Sequence, residues 1–276
     1  MFKSWWQLSI TIASLLVVLV VSGYQWVQLV QASASVNTNS YFLGSEPQRL
    51  HYVKTGNPDA AVRVIFIHGT PGKWQNYSHY LADKQLMNQA ELVAVDRIGF
   101  GLSSSTVNTS LADHAKLIQP LLETNKQVLL VGHSLGGSLA VKMAIDYPDQ
   151  VNNILLIAAS LDPSLESPRW YNWVIEWPVI RWFVPDKLLK ANQEIFGLAK
   201  ELEKMANDWS NLRAKVHIIH GKEDMLAYFG NAEYAIQQLP GKAVSLNAVA
   251  EEGHFILWEN ERLIKEDLLR LIQTLL

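Results

Sequence analysis

The chain has 276 residues, with 23 Lys+Arg, 26 Asp+Glu and no cysteine, and 49% of its residues are apolar. A chain of this length and composition can bury a core without cross-links, and the lack of cysteine excludes disulfide scaffolds, thiolate metal sites and cysteine nucleophiles. The slightly acidic charge balance argues against a nucleic-acid partner, because proteins that bind nucleic acid concentrate Lys and Arg.

The first predicted element is an N-terminal helix that crosses a membrane. Asp, Glu, Lys and Arg are all absent from Ser4 to Ser45, and a spanning helix needs about 20 mostly apolar residues. Trp5 and Trp26 stand roughly that far apart, so they would lie near the two interfaces where Trp is favoured. We expect a single-pass anchor within residues 1–30. Lys3 places the N-terminus in the cytoplasm and the body of the chain on the outer side.

A cleaved signal peptide is the alternative interpretation of this segment. Ala32-Ser33-Ala34 resembles a small-residue cleavage site, and the protein would then be secreted after cleavage near Ala34. The apolar stretch is longer than the roughly 7 to 15 residues of a signal-peptide core, which favours the anchor. Residues 31–40 have the composition of a linker. The folded domain is therefore predicted to comprise residues 41–276.

Strand-like and helix-like segments alternate along this domain. The predicted strands are Arg49–Lys54, Val62–Ile67, Leu92–Val95, Val128–Val131, Ile154–Ile157, Val216–Ile219 and Ala243–Val249. The predicted helices are Leu111–Leu122, Leu135–Tyr147, Tyr228–Leu239 and Trp258–Leu275. Most strands are continuously apolar, which is typical of parallel strands buried on both faces. The alternation of strands with helices predicts an α/β fold.

The alternation is interrupted between about residues 160 and 212, which we interpret as a helical insertion over the sheet. Trp170, Trp173 and Trp177 recur there at helical spacing. Two interpretations are open for these side chains. Either they pack the insertion onto the body, or they have a functional role, as an apolar wall that binds the acyl chain of a substrate or as a surface that dips into a bilayer.

The segment Gly132-His133-Ser134-Leu135-Gly136 matches the pattern G-x-S-x-G. It stands between a predicted strand and a predicted helix, where the two glycines permit a sharp turn that exposes the serine hydroxyl. This context predicts that Ser134 is a nucleophile.

A serine nucleophile requires a base, and the base requires a carboxylate that orients it. His254 is the candidate base because it lies in a loop between the last predicted strand and the last helix. Asp224 follows the strand Val216–Ile219 and gives the chain order Ser, Asp, His. Asp162 is the alternative carboxylate.

Acyl transfer also requires two N–H donors for the negative charge that develops on the carbonyl oxygen. We expect one from the backbone of Leu135, at the start of the helix after Ser134, where the helix dipole assists it. The second is expected from Thr70, in the loop after the strand Val62–Ile67. Pro71 has no N–H and cannot serve.

These residues resemble the α/β-hydrolase superfamily. Its motifs occur in family order at His68-Gly69, Asp96–Ser103, Gly132–Gly136, and Gly221–Asp224 followed by Gly253-His254. The resemblance implies an eight-stranded, mostly parallel sheet with helices on both faces and a helical cap inserted after the sixth strand. It also implies a structural turn at Asp96–Ser103.

Within the superfamily, Ser134 separates this chain from haloalkane dehalogenases and epoxide hydrolases, which resemble it around His68–Gly72 but use an aspartate nucleophile. The expected activity is hydrolysis of carboxylic esters, including lipid-like esters, with no cofactor and no metal. The alternatives are a peptidase or amidase similar to proline iminopeptidases, a thioesterase or acyltransferase, and a catalytically silent binding module.

Overall fold

The computed structural model describes residues 36–241 and 244–276. The anchor predicted within residues 1–30 lies outside the described residues, as does half of the predicted linker. Within the two described ranges, none of the helices combines the length and the apolar character that crossing a membrane requires.

An eight-stranded sheet forms the centre of the domain. Its strands are β1 (Asn39–Leu43), β2 (Leu50–Gly56), β3 (Val62–Ile67), β4 (Glu91–Asp96), β5 (Gln127–His133), β6 (Asn153–Ile157), β7 (Lys215–Gly221) and β8 (Val244–Val249). They lie in the order β1-β2-β4-β3-β5-β6-β7-β8. β2 pairs antiparallel with β1 and β4, and the remaining neighbours are parallel. The mostly parallel, eight-stranded sheet is confirmed.

The central strands are buried on both faces, as their continuous apolar sequences predict. Along β3, Ile65 and Ile67 belong to one hydrophobic core, whereas Val64 and Phe66 belong to a second core on the opposite face. Successive side chains of a strand point to opposite faces, so a strand between two layers of helices needs apolar residues at every position.

Helices cover the two faces of the sheet and form the cap. They are α1 (Ser78–Leu81), α2 (Lys84–Gln89), α3 (Leu111–Ile118), α4 (Leu135–Asp146), α5 (Trp170–Ile175), α6 (Pro178–Arg181), α7 (Asp186–Met205), α8 (Gly230–Gln238), α9 (Ile256–Glu259) and α10 (Glu261–Leu275). The cap helices α5, α6 and α7 lie between β6 and β7, where the helical insertion was expected.

Three of the differences between the structure and the predicted elements have a physical cause in the sequence. β1 begins at Asn39, inside the predicted linker. The strand was not predicted because an exposed edge strand lacks the continuous apolar sequence that identifies the buried strands. α3 ends at Ile118 and a 3₁₀ turn follows, since Pro120 cannot continue the backbone hydrogen bonds. The last predicted helix is divided at Asn260, whose side chain instead accepts a hydrogen bond from the N–H of Leu263.

The parallel strands all end at one edge of the sheet, and the loops that leave this edge carry the predicted site residues. Thr70 follows β3, Ser134 follows β5, Asp224 follows β7 and His254 follows β8. The carboxyl edge of an open α/β sheet is the usual place for a ligand site.

Candidate active site

Ser134 occupies a sharp turn between β5 and α4. Its backbone has φ 55° and ψ −128°, a conformation that side-chain-bearing residues rarely adopt. The neighbouring glycines allow the turn, because a Cβ on Gly132 would lie 2.3 Å from the Gly136 carbonyl oxygen, and one on Gly136 would lie 2.1 Å from that of Ile67. The Ser134 side chain consequently lines a cleft at the carboxyl edge of the sheet.

Two hydrogen bonds link Ser134, His254 and Asp224 in a chain. His254 Nε2 is 3.1 Å from Ser134 Oγ, and His254 Nδ1 is 2.8 Å from Asp224 Oδ2. The fold therefore brings together three side chains that the sequence places in three separate loops. In this geometry the imidazole can receive a proton from the serine while the carboxylate holds its other nitrogen.

Asp224 is buried and receives several hydrogen bonds. Its Oδ1 accepts from the backbone N–H groups of Leu226 and Ala227, both at 2.8 Å. Burial by itself would raise the pKa of Asp224, but hydrogen bonds from His220, His254 and Leu226 outweigh it and hold that pKa well below its usual range. Asp224 therefore stays ionised and available to His254.

Two further histidines, His133 and His220, contact this arrangement, and their roles could not be predicted from the sequence. His133 donates from Nε2 to the carbonyl oxygen of His254 at 2.9 Å, and the two rings lie 4.9 Å apart. Burial lowers the pKa of His133 to about 3, so its ring is neutral near pH 7. His220 donates to the carbonyl oxygen of Ala227 at 2.8 Å and lies 3.4 Å from Asp224 Oδ2.

The loop after β3 lies directly against the Ser134 turn. A Cβ on Gly69 would lie 2.8 Å from Ser134 Cβ, so only glycine fits there. Thr70 and Leu135 both line the cleft beside Ser134. Within the described part of the chain, neither backbone N–H donates a hydrogen bond to another group. Among the described residues, both N–H groups thus lack a protein acceptor.

Arg97 connects this loop to the cap. The buried guanidinium donates to the carbonyl oxygens of His68 at 3.0 Å and Gly69 at 2.9 Å. It also forms a bidentate ion pair with Glu194 of α7, in which the nitrogen–oxygen distances are 2.6 and 2.9 Å. The chain segment that carries Thr70 is thus fixed on one side by a charge pair that reaches the cap.

The cleft lies between the sheet edge and the cap and has a volume of about 120 Å³. Its apolar walls come from Leu135, Leu165, Ile195, Leu198 and Leu226. Its polar walls include Ser160, Glu166, Ser167, Arg169, Tyr171 and Asn172. A mixed lining of this kind suits a ligand with an apolar part and a few polar groups.

Glu166 is the carboxyl group that the cap contributes to the cleft. Burial raises the pKa of Glu166 to about 7, and the charge of Asp224 adds to this effect, while hydrogen bonds from Ser160 and Asn231 and the charge of Arg169 oppose it. Glu166 therefore changes its protonation state near neutral pH.

Trp170, Trp173 and Trp177 do not belong to the cleft. Each is about 60% exposed, and none lines the cavity. α5 ends at Ile175, so Trp177 precedes a different helix and the predicted continuous helical face does not exist. The structure thus corrects both the substrate wall and the packing of this face onto the body.

Asp162, the alternative carboxylate, is not part of the hydrogen-bond chain that links Ser134, His254 and Asp224. Its Oδ1 accepts hydrogen bonds from the backbone N–H and the hydroxyl of Ser164. Among the residues that the structure describes, no cluster of three or more His, Asp and Glu side chains could hold a metal ion.

Comparisons with known proteins agree with this architecture. The family model of the alpha/beta hydrolase fold matches residues 62–190. Epoxide hydrolase 1 of Caenorhabditis elegans is 30% identical over 140 residues, which cover 49% of this chain and 34% of that protein. The dihydrolipoyllysine-residue acetyltransferase component of the acetoin cleaving system of Cupriavidus necator is 26% identical over 75% of this chain and 62% of that protein. The chain thus spans between about a third and three fifths of the length of these curated relatives.

Solved structures share the fold at low sequence identity. A lipase-esterase related protein from Clostridium acetobutylicum superposes with a TM-score of 0.65 at 16% identity, covering 82% of this chain and 99% of that protein. Together with the sheet order and the strained serine turn, these similarities define the class of protein. The chain has the α/β-hydrolase fold, and the family model of that fold matches residues 62–190.

Proposed function

We propose that the chain is a serine hydrolase that cleaves carboxylic esters through an acyl-enzyme intermediate. The observation that carries the proposal is the hydrogen-bond chain from Ser134 through His254 to the ionised Asp224, with Ser134 and His254 at the wall of the cleft. A serine hydroxyl becomes a strong nucleophile when an imidazole takes its proton and a carboxylate stabilises the resulting imidazolium.

In the first half-reaction, Ser134 Oγ attacks the ester carbonyl carbon and its proton passes to His254 Nε2. The tetrahedral intermediate collapses when the C–O bond to the alcohol breaks and His254 returns the proton to the leaving alkoxide. In the second half-reaction, His254 takes a proton from water, the hydroxide attacks the acyl carbon, and the carboxylic acid leaves as Ser134 recovers its proton. Atoms and charge balance without a cofactor or a metal.

The backbone N–H groups of Thr70 and Leu135 are proposed to hold the oxyanion in both halves of the reaction. Leu135 opens α4, so the positive end of the helix dipole adds to its N–H. Each such donor contributes roughly a hundredfold to a thousandfold to the rate when it is aimed at the developing charge.

The nucleophile itself favours esters over epoxides. Epoxide hydrolases are among the similar proteins, but the families that resemble this chain around His68–Gly72 use an aspartate where this chain has Ser134. Peptidase, amidase, thioesterase and acyltransferase activities would use the same three side chains, and the lining of the cleft would decide among them.

Fluorophosphonate labelling and a substrate screen test the proposal. The wild-type chain is expected to be labelled and to hydrolyse p-nitrophenyl esters, and Ser134→Ala to lose both properties. Ser167→Ala is the matched control, because Ser167 lines the same cleft outside the hydrogen-bond chain. Labelling that survives in Ser134→Ala would refute the nucleophile, and robust cleavage of aminoacyl amides without cleavage of any ester would favour the amidase.

We further propose that residues 1–30 anchor the enzyme in a membrane, with the catalytic domain on the outer side. The support is the charge-free sequence from Ser4 to Ser45 with Lys3 before it. Secretion after cleavage near Ala34 is the alternative, and the N-terminal sequence of the mature protein distinguishes the two.

A further inference from the structure

The cap carries an exposed apolar surface, which we call the cap patch. Its members lie on α5, on α6, or directly before or after α6. They are Trp170, Trp173, Trp177, Val179, Trp182 and Phe183, each between 59% and 87% exposed. The exposure of six large apolar side chains to water within residues 170–183 costs free energy, which indicates a surface that another apolar phase covers.

The cap patch is connected to the mouth of the cleft. Arg169, directly before α5, donates to the carbonyl oxygens of Met225 and Leu226. Arg169 and Leu226 line the cleft, and Met225 and Leu226 are 66% and 45% exposed. An apolar phase in contact with the cap patch would therefore lie next to the entrance that leads to Ser134.

Two observations favour a lipid bilayer as this phase. Four of the six members are Trp, the residue that is enriched at membrane–water interfaces. The chain also contains the charge-free sequence from Ser4 to Ser45, in which residues 5–30 are long and apolar enough for the proposed membrane-spanning anchor.

We propose that the cap patch inserts into the interfacial layer of a lipid bilayer and presents the cleft to lipid-borne esters. The delivery of esters rests on the proposed hydrolase function, whereas the insertion does not. An N-terminal anchor would strengthen the docking, because it holds the domain at high effective concentration near the same surface.

A single reporter can test the insertion, because the chain contains no cysteine. Val179→Cys places one nitrobenzoxadiazole label within the cap patch. Asp149→Cys is the matched control, since Asp149 lies between α4 and β6, at the opposite edge of the sheet, with an exposed side chain. Both full-length proteins are reconstituted in vesicles of phosphatidylcholine and phosphatidylglycerol, with and without doxyl-labelled lipid.

The label at residue 179 is expected to shift to shorter wavelength and to lose about half or more of its emission to the doxyl lipid, while the label at residue 149 does neither. Equal emission from both labels with and without doxyl lipid would overturn the proposal. A blue shift at residue 179 without doxyl quenching would also overturn it, in favour of a second protein copy on the cap patch.

Hydrolysis kinetics separate this inference from the proposed function. Trp182→Gln combined with Phe183→Gln is expected to slow the cleavage of a vesicle-borne ester about tenfold or more, because the loss of two large apolar side chains weakens insertion by at least that factor. Cleavage of soluble p-nitrophenyl acetate stays unchanged. If the wild-type protein cleaves neither ester, the proposed function fails, and the quenching experiment still decides whether the cap patch inserts. If the double substitution slows the cleavage of both esters equally, the cap patch has no specific role in the cleavage of vesicle-borne esters.

Discussion

A second serine–histidine–aspartate chain shows that hydrogen bonds alone do not identify a catalytic site. His51 Nε2 is 3.2 Å from Ser40 Oγ, and His51 Nδ1 is 2.7 Å from Asp96 Oδ2. His51 and Asp96 are fully buried, however, and the Asp96 carboxylate also accepts from the backbone N–H groups of Trp74 and Leu102. This chain fixes the turn after β4, as the sequence motif predicted. The hydrogen-bond chain that begins at Ser134 differs from the one at Ser40 because it opens into a cleft with two free backbone N–H donors.

The role of Asp224 leads to the first prediction. Asp224→Asn keeps the size of the side chain but cannot stabilise the imidazolium of His254, so kcat for ester hydrolysis is expected to fall by about 10³ to 10⁴. Asp162→Asn, in the alternative carboxylate, is expected to stay within about twofold of wild type. Steady-state kinetics with both variants decide between them. Wild-type activity of Asp224→Asn would remove this carboxylate from the mechanism.

The raised pKa of Glu166 leads to a prediction for stability. The folded protein holds this proton up to a pKa of about 7, whereas the ordinary value is 4.5. The unfolded chain therefore ionises first as the pH rises, and Glu166 destabilises the fold progressively between about pH 4.5 and 7. Glu166→Gln is expected to gain Tm relative to wild type across this interval, and the gain should reach a plateau above it.

Thermal unfolding of wild type and Glu166→Gln from pH 4 to pH 8 measures this difference in Tm. Glu123→Gln provides the control, because Glu123 is exposed and does not line the cleft. A constant difference between Glu166→Gln and wild type would show that Glu166 does not titrate in this range.

At the scale of elements, the sequence predicted the buried strands well and the exposed elements poorly. β3, β4 and β6 are apolar at nearly every position, so composition alone located them. β1 is exposed and pairs on one side only, and its sequence could not be told from a linker. The cap helices α5 and α6 expose apolar side chains, which reverses the rule that links helical periodicity to a buried face.

The connection from the cap to the loop after β3 leads to a prediction at this scale. Arg97→Lys keeps the positive charge, but a lysine cannot form a bidentate ion pair with Glu194 and also donate hydrogen bonds to His68 and Gly69. Because this loop carries Thr70, the proposed oxyanion donor, kcat is expected to fall about tenfold or more with a smaller change in KM. The free energy of unfolding should fall by about 1 to 3 kcal/mol.

Steady-state kinetics on a soluble ester and urea unfolding measure the two effects. Arg213→Lys serves as the control, because its exposed pair with Asp149 contributes less than about 1 kcal/mol. If Arg97→Lys lost stability but retained full kcat, the ion pair would be a structural contact without influence on the oxyanion donors.

At the scale of the whole molecule, the three proposed catalytic residues were accessible to sequence reasoning because of topology. Parallel strands end at one edge, so loops that are far apart in sequence meet there, and Ser134 contacts His254 across 120 positions. The partners that cross from the cap were not accessible. The pairing of Arg97 with Glu194 depends on how α7 lies over the sheet edge, and no periodicity encodes that placement.

The proposed anchor gives the prediction for the whole chain. Each arginine at the centre of a spanning helix costs about 3 kcal/mol of insertion free energy. Leu15→Arg combined with Val18→Arg should therefore move the full-length protein from the membrane fraction to the soluble fraction, whereas Leu15→Ala with Val18→Ala should remain in the membrane fraction. Ester hydrolysis per molecule is expected to be equal in the two variants on a soluble substrate, because the residues that line the cleft lie between Thr70 and His254.

Fractionation by ultracentrifugation measures the distribution, and protease treatment of intact spheroplasts measures which side the domain occupies. A membrane-anchored domain on the outer side is degraded by external protease, and protection of the domain would reverse the proposed orientation. If the wild-type protein is recovered in the soluble fraction with an N-terminus near residue 35, the segment is a cleaved signal peptide. The enzyme would then reach lipid through the cap patch alone, and the substitution of Trp182 and Phe183 would lower its membrane affinity with no anchor to offset the loss.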